Sequence, residues 1–196
     1  YYKGIENESE DANIAVIVAE GDIVDGKGDE MSIGGDKYAK LIQEIKEDEE
    51  INAVVLRINS GGGSVMASEI INRELELLSA KKTLIVSMGD VAASGGYYIT
   101  TKAGKVFAQP NTITGSIGVF GIVPNLQKFF NDKLGVTFDE VELHEHAVMN
   151  LNKPLDAYEA KMTQDRIDKI YQDFITMVAK ARTKNVAEID SMAQGR

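Results

Sequence analysis

The run Ile51-Asn52-Ala53-Val54-Val55-Leu56-Arg57-Ile58 passes without a break into Asn59-Ser60-Gly61-Gly62-Gly63-Ser64. From Val65 to Leu78 apolar residues then recur at helical spacing, with Glu69, Glu74 and Glu76 turned outward. A near-continuous β-branched run is the pattern of a strand covered on both faces. Three glycines let the chain turn sharply and leave backbone N–H groups unobstructed, and a helix start favours negative charge beside them. Strand, tight turn and helix in that order cannot close a hairpin. They return the chain to lie parallel to itself, which confines the fold to an α/β class.

The rest of the chain repeats the theme. Ile14 to Val18 reads as a strand buried on both faces and ended by Glu20-Gly21-Asp22, with a glycine-rich loop from Asp25 to Gly35. Tyr38, Leu41, Ile42 and Ile45 make the apolar stripe of a helix that starts near Lys37. Thr83 to Met88 is a third strand, Lys105 to Ala108 a short one, and Thr114 to Val119 a glycine-punctuated turn and strand. Asn125 to Leu134 reads as helix, Val136 to Val148 as strand-like, and Asp156 to Ala193 as helix with Ile167, Ile170, Tyr171, Phe174, Val178 and Ala181 on one face. The alternation predicts a mainly parallel sheet with flanking helices and right-handed crossovers. It forms one domain over residues 14–196, behind a loose arm over 1–13.

Composition narrows the chemistry. With 31 acidic against 21 basic residues the net charge is −10, which argues against nucleic acid as a partner. There is no cysteine, so no disulfide, no thiol nucleophile and no thiolate metal site, and two histidines leave little other metal chemistry. No stretch approaches the ~18 apolar residues of a membrane-spanning helix.

Two turns carry candidate chemistry. Asn59 to Ser64 can present amides to an anion, yet it lacks the Gly-Lys-Ser/Thr ending of a phosphate loop and the spacing of a dinucleotide fingerprint. It reads equally as a turn that serves only tight passage from strand to helix. Ser94 sits among Val91-Ala92-Ala93 and Gly95-Gly96, almost without neighbouring bulk, just before a helical stretch. It reads as an N-cap whose oxygen bonds an amide two or three residues on, or as a nucleophile with the Gly95 amide facing an oxyanion. Both turns together in one small domain make acyl transfer plausible.

Arg57 to Val65, Met88 to Tyr98 and Thr114 to Val119 resemble, in order, the three signature segments of the signal peptide peptidase A (protease IV) family, peptidase family S49. The resemblance covers about Ile14 to Gly195. It implies a ClpP/crotonase-like fold of ββα units, a serine nucleophile at Ser94, oxyanion donors from Gly95 and from Gly62 or Gly63, and Ser116 as the serine that holds a catalytic lysine. It calls for no cofactor and no metal. It further implies extended apolar peptides or remnant signal peptides as substrates, a homo-oligomer, and a peptidase domain on the periplasmic or other extracytoplasmic side of a bacterial inner membrane.

The lysine is the departure from the pattern. A lysine general base must be neutral, so its pKa must fall by several units through desolvation. In the short form of the family it lies in the segment that corresponds here to His144 through Lys153, where His144, Glu145 and His146 occupy its place. Lys153 stands beside Pro154 in a polar stretch. The chain therefore resembles the second half of the long, two-repeat form, whose first half supplies the lysine and the membrane anchor. On that expectation the isolated piece lacks half of its dyad and is inactive alone. Competing readings are a Ser-His-Asp peptidase using Ser94, His144 or His146, and Asp156 or Asp165; a weak metal site at His144 and His146; a crotonase-like acyl-CoA enzyme; and a non-catalytic half kept for assembly.

Overall fold

The computed structural model describes residues 13–144, 146 and 150–194. All of the expected arm over 1–13 except Asn13 therefore lies outside the described residues. The residues expected as one domain divide into two compact units, one of residues up to Gly118 together with Phe174 onward, the other Val119–Asp173.

The first unit is built on a five-stranded sheet of β1 (Ile14–Glu20), β4 (Ala53–Ser60), β5 (Thr83–Ala93), β6 (Lys105–Phe107) and β7 (Ile113–Gly115). The order is β1-β4-β5-β6, with β7 pairing β5 further along, and every pairing is parallel. Helices α1 (Gly35–Glu47) and α2 (Val65–Ser79) pack side by side. Their buried residues Tyr38, Ile42, Ile45, Ile71, Leu75 and Leu78 join Ile17, Val54, Leu56, Ile58 and Val86 in one core. Each fully buried aliphatic side chain contributes roughly 1.5–3 kcal/mol.

Three sequence expectations change. β1 is not buried on both faces: Ile14 and Val16 are 56% and 62% exposed while Ala15 and Ile17 are buried. β1 is an edge strand, and only the face toward the helices is covered. The loop from Asp25 to Gly35 contains β3 (Ser32–Gly34), which pairs in parallel with β2 (Asp22–Val24) as a separate two-stranded ladder. The third strand runs on to Ala93. Its register against β4 shifts after Ile58/Met88 and resumes at Ser60/Ala92, and the Asn59 side chain bridges the bulge by accepting the Val91 N–H at 3.1 Å.

In the second unit, Phe129–Leu134 is a π-helical segment, and none of the described residues in the expected strand over 136–148 is in a strand. The expected long C-terminal helix is two, α4 (Ala157–Ala181) and α5 (Val186–Ala193). The break falls where Thr183 takes a positive φ and Asn185 caps α5 by accepting the Glu188 N–H at 2.8 Å.

Candidate active site

β4 and β5 are neighbours in the sheet and run the same way, so their C-terminal turns emerge side by side. The fit of those turns depends on missing side chains. A Cβ on Gly62 would lie 2.6 Å from the Gly95 nitrogen and 2.9 Å from Ser94 Cβ, and one on Gly96 would lie 2.5 Å from the Ser60 carbonyl oxygen. The two glycine turns are packed backbone against backbone.

Ser94 joins β5 to the four-residue helix α3 (Gly95–Tyr98) with φ 51° and ψ −123°. That combination belongs to glycine in ordinary turns, and a side chain held there costs about 1–3 kcal/mol. The strand and helix on either side enforce it. The Ser94 N–H donates to the Gly115 carbonyl at 2.9 Å, and its own carbonyl accepts the Tyr98 N–H at 2.9 Å. The hydroxyl does not cap α3 and, among the described residues, makes no hydrogen bond. The half-exposed Ser94 thus holds an unengaged oxygen at a strained joint, and the capping reading does not describe it.

The amides around it are aimed by their own peptide planes. A trans peptide points its N–H opposite its C=O, and the chain has no cis peptide. The Gly62 carbonyl accepts the Ile23 N–H at 2.8 Å, so the N–H on the same peptide, that of Gly63, points away from β2. Its nitrogen lies against the second turn: a Cβ on Gly95 would meet the Gly63 nitrogen at 3.3 Å. The Ser94 carbonyl is drawn along α3, so the Gly95 N–H points out of the helix start. Among the described residues neither the Gly63 nor the Gly95 amide makes a hydrogen bond, whereas the Gly62 N–H donates to Ser60 Oγ at 3.1 Å. Two adjacent, unengaged amides next to an unengaged hydroxyl can receive the oxygen of a tetrahedral adduct.

α3 is anchored from behind. Tyr98 meets Phe174 edge to face at 4.9 Å, and Arg182 donates to Tyr97 Oη at 3.0 Å and Thr100 Oγ1 at 3.3 Å. Ser116 follows Gly115 as Ser94 follows Ala93 across the β5–β7 ladder, and it too has a positive φ, 49°. It is exposed.

The remaining sequence candidates lie in the second unit. Lys153 is bound to Glu142 at 2.8 Å and approaches Glu140 at 3.8 Å. The hydrogen bond to Glu142 holds Lys153 above the usual lysine pKa and Glu142 below the usual carboxylate range, the opposite of the lowered pKa that a lysine base requires. His144 is exposed, Asp165 is bound to Lys161 at 2.6 Å, and Glu145 lies outside the described residues. His146 Nδ1 lies 3.2 Å from Asp156 and 3.9 Å from Glu159, and these three could hold a metal ion. Asp156 and Glu159 already have a use: each carboxylate accepts the other's backbone N–H, at 2.8 and 3.0 Å, forming a capping box at the start of α4.

Sequence reading missed the residues behind the first turn. Ile23 clamps it through its backbone, and no pattern marks that role. The glycine at 63 was the available signal, since a Cβ there would lie 2.1 Å from the Ile23 carbonyl oxygen.

Comparison with known proteins decides the family. The model of peptidase family S49 matches residues 76–196. The chain belongs to peptidase family S49. Its parallel sheet with flanking helices is the α/β fold expected of that family. It is 43% identical to Protease 4 of Salmonella typhi and 42% identical to Protease 4 of Haemophilus influenzae, in each case over 93% of this chain. It is 34% identical to the chloroplastic serine protease SPPA of Arabidopsis thaliana, again over 93% of the chain. The chain spans 29%, 30% and 28% of the lengths of these three proteins.

Proposed function

We propose that this S49 chain is the nucleophile-bearing part of a serine endopeptidase. The observation that carries the reading is the Ser94 hydroxyl, unengaged and held in a glycine conformation beside the Gly63 and Gly95 amides. Ser94 Oγ attacks a peptide carbonyl and passes its proton to a neutral amine. The carbonyl oxygen, now negative, settles between the two amides. The protonated amine then gives its proton to the departing amino group, and water releases the acyl enzyme by the reverse sequence.

The amine is a lysine from polypeptide beyond residues 1–196, as in a two-repeat chain in which the first half carries the lysine. The ion pair of Lys153 with Glu142 at 2.8 Å, which raises its pKa where a general base needs a lowered one, supports this source. Ser116, one residue past the β5–β7 ladder as Ser94 is, orients that amine. Substrates are extended apolar peptides such as remnant signal peptides, which can add as a strand next to the glycine turn. The functional form is a homo-oligomer facing the extracytoplasmic side of a membrane and attached by an anchor outside this chain. Among the described residues no helix is long and apolar enough to cross a membrane.

The test is Ser94→Ala in the complete protein. Cleavage of an apolar peptide is expected to fall at least about a thousandfold, with loss of labelling by a serine-directed phosphonate. Retained cleavage overturns the assignment. A Ser-His-Asp arrangement has the His146–Asp156 pair in its favour. Under it His146→Ala abolishes cleavage, and under the lysine mechanism cleavage survives that change.

A further inference from the structure

The turn that presents the Gly63 amide is held from one side by β2. Ile23 donates to the Gly62 carbonyl and accepts from the Ser64 N–H, both at 2.8 Å, so its backbone brackets Gly63. Two residues further on, the Asp25 carboxylate accepts a hydrogen bond from Ser64 Oγ. The same Ser64 oxygen accepts the Ala67 N–H at 3.2 Å, which makes Ser64 the N-cap of α2. With its proton committed to Asp25, the hydroxyl presents a lone pair to Ala67. β2, the glycine turn and the first turn of α2 are thereby tied through one side chain.

Asp25 itself is exposed, and glycines with positive φ follow at 26 and 28. β2 pairs laterally with β3 over only three residues. The buried Ile23 side chain and the Gly21 N–H bond to the Asn59 carbonyl at 3.1 Å hold the start of β2, and Asp25 is the side chain that ties its far end to Ser64. An exposed hydroxyl–carboxylate bond adds little to global stability, but a shift of β2 rotates the Gly62–Gly63 peptide, because the Ile23 N–H follows the strand. Catalysis is far more sensitive to such a shift than folding is: a misplacement of about 1 Å can cost about a hundredfold in rate.

We infer that Asp25 is a positioning residue for the oxyanion-binding turn, acting through Ser64 and β2 to keep the Gly63 N–H aimed at the Ser94 turn. This rests on the reading of Ser94 as the nucleophile. Asp25 touches neither substrate nor reacting atoms. Its contribution appears where negative charge develops on the carbonyl oxygen, in kcat, and not in ground-state binding.

The test is steady-state cleavage of an apolar peptide by the complete protein carrying Asp25→Ala or Asp25→Asn, with Ser94→Ala in parallel. Asp25→Ala is expected to lower kcat roughly tenfold, below the ~10²–10³ lost when an oxyanion donor is removed outright, and to leave KM within about twofold. Asn keeps an acceptor oxygen in the same place, so Asp25→Asn is expected to recover most of the loss. Binding of a peptide aldehyde, whose adduct places an oxygen between the two amides, weakens by the same factor in Asp25→Ala. An unchanged kcat in Asp25→Ala, a rise in KM instead, or failure of Asn to rescue overturns the role of Asp25. If Ser94→Ala cleaves normally, the nucleophile assignment fails. If Ser94→Ala is inactive while Asp25→Ala is fully active, only the positioning role fails.

Discussion

Ser64 and Ser94 stand at the same place in two successive strand–turn–helix units and are used in opposite ways. Ser64 has φ −57°, caps α2 through its oxygen and donates its proton to Asp25, so its proton and one lone pair go into the fold. Ser94 has φ 51°, and its hydroxyl caps nothing and makes no hydrogen bond among the described residues. One hydroxyl is consumed by structure, while the other is kept in an expensive conformation with its oxygen unengaged. A serine before a helix is therefore not enough to mark a nucleophile. The sign of φ and the absence of a capping bond are what separate the two.

The largest effect is expected at Gly63, immediately before Ser64. Gly63→Ala places a Cβ 2.1 Å from the Ile23 carbonyl oxygen at φ +146°, so the turn must detach from β2. A stability loss of several kcal/mol is expected, together with loss of cleavage, checked by thermal unfolding and by turnover. Next come the serines themselves, measured as a pair. Ser94→Gly relieves the strained joint and is expected to raise stability by about 1 kcal/mol while cleavage disappears. Ser64→Ala is expected to lower stability by about 1 kcal/mol. If both changes move stability in the same direction, the contrast between the two turns is wrong.

The smallest effect is expected at Lys153. Its pKa is raised by Glu142, so its favourable contribution is complete below the ordinary lysine pKa and fades only as pH rises through the raised value. The Glu142 pKa is lowered by the same bond, and its contribution is present above the ordinary glutamate pKa and fades as pH falls through the lowered value. Between those limits nothing at this pair titrates. Lys153→Met is therefore expected to leave the turnover rate and its pH profile near neutrality unchanged. A shifted profile would make Lys153 the base after all.

How much of this was legible in the sequence differs from place to place. β4 and α2 were plain because a long apolar run before a glycine turn and a helical stripe after it leave little ambiguity, although only the Val54, Leu56, Ile58 and Ser60 face of β4 is fully buried and Arg57 is exposed. β1 misled because Ile14, Val16 and Val18 are as apolar as core residues yet lie on an uncovered face, and an edge position is a property of sheet order, not of composition. The extension of β5 through Gly89 to Ala93 was hidden because glycine and alanine carry little strand preference. The bulge and the Asn59 side chain hold them in the ladder. At the site, the glycines and Ser94 could be read as a cluster. The clamp by Ile23 and Asp25 could not, because 39 residues separate Asp25 from Ser64 and only folding brings them together.

The trans peptide joining Gly62 to Gly63 has a wider consequence. A donor without a side chain has no chemical handle of its own, so its accuracy can be tuned only from across the turn, by whatever sets the reach of a three-residue strand. On the proposed mechanism, catalytic precision would be set at positions that bear no catalytic group, and substitutions around the exposed Asp25 are expected to alter turnover.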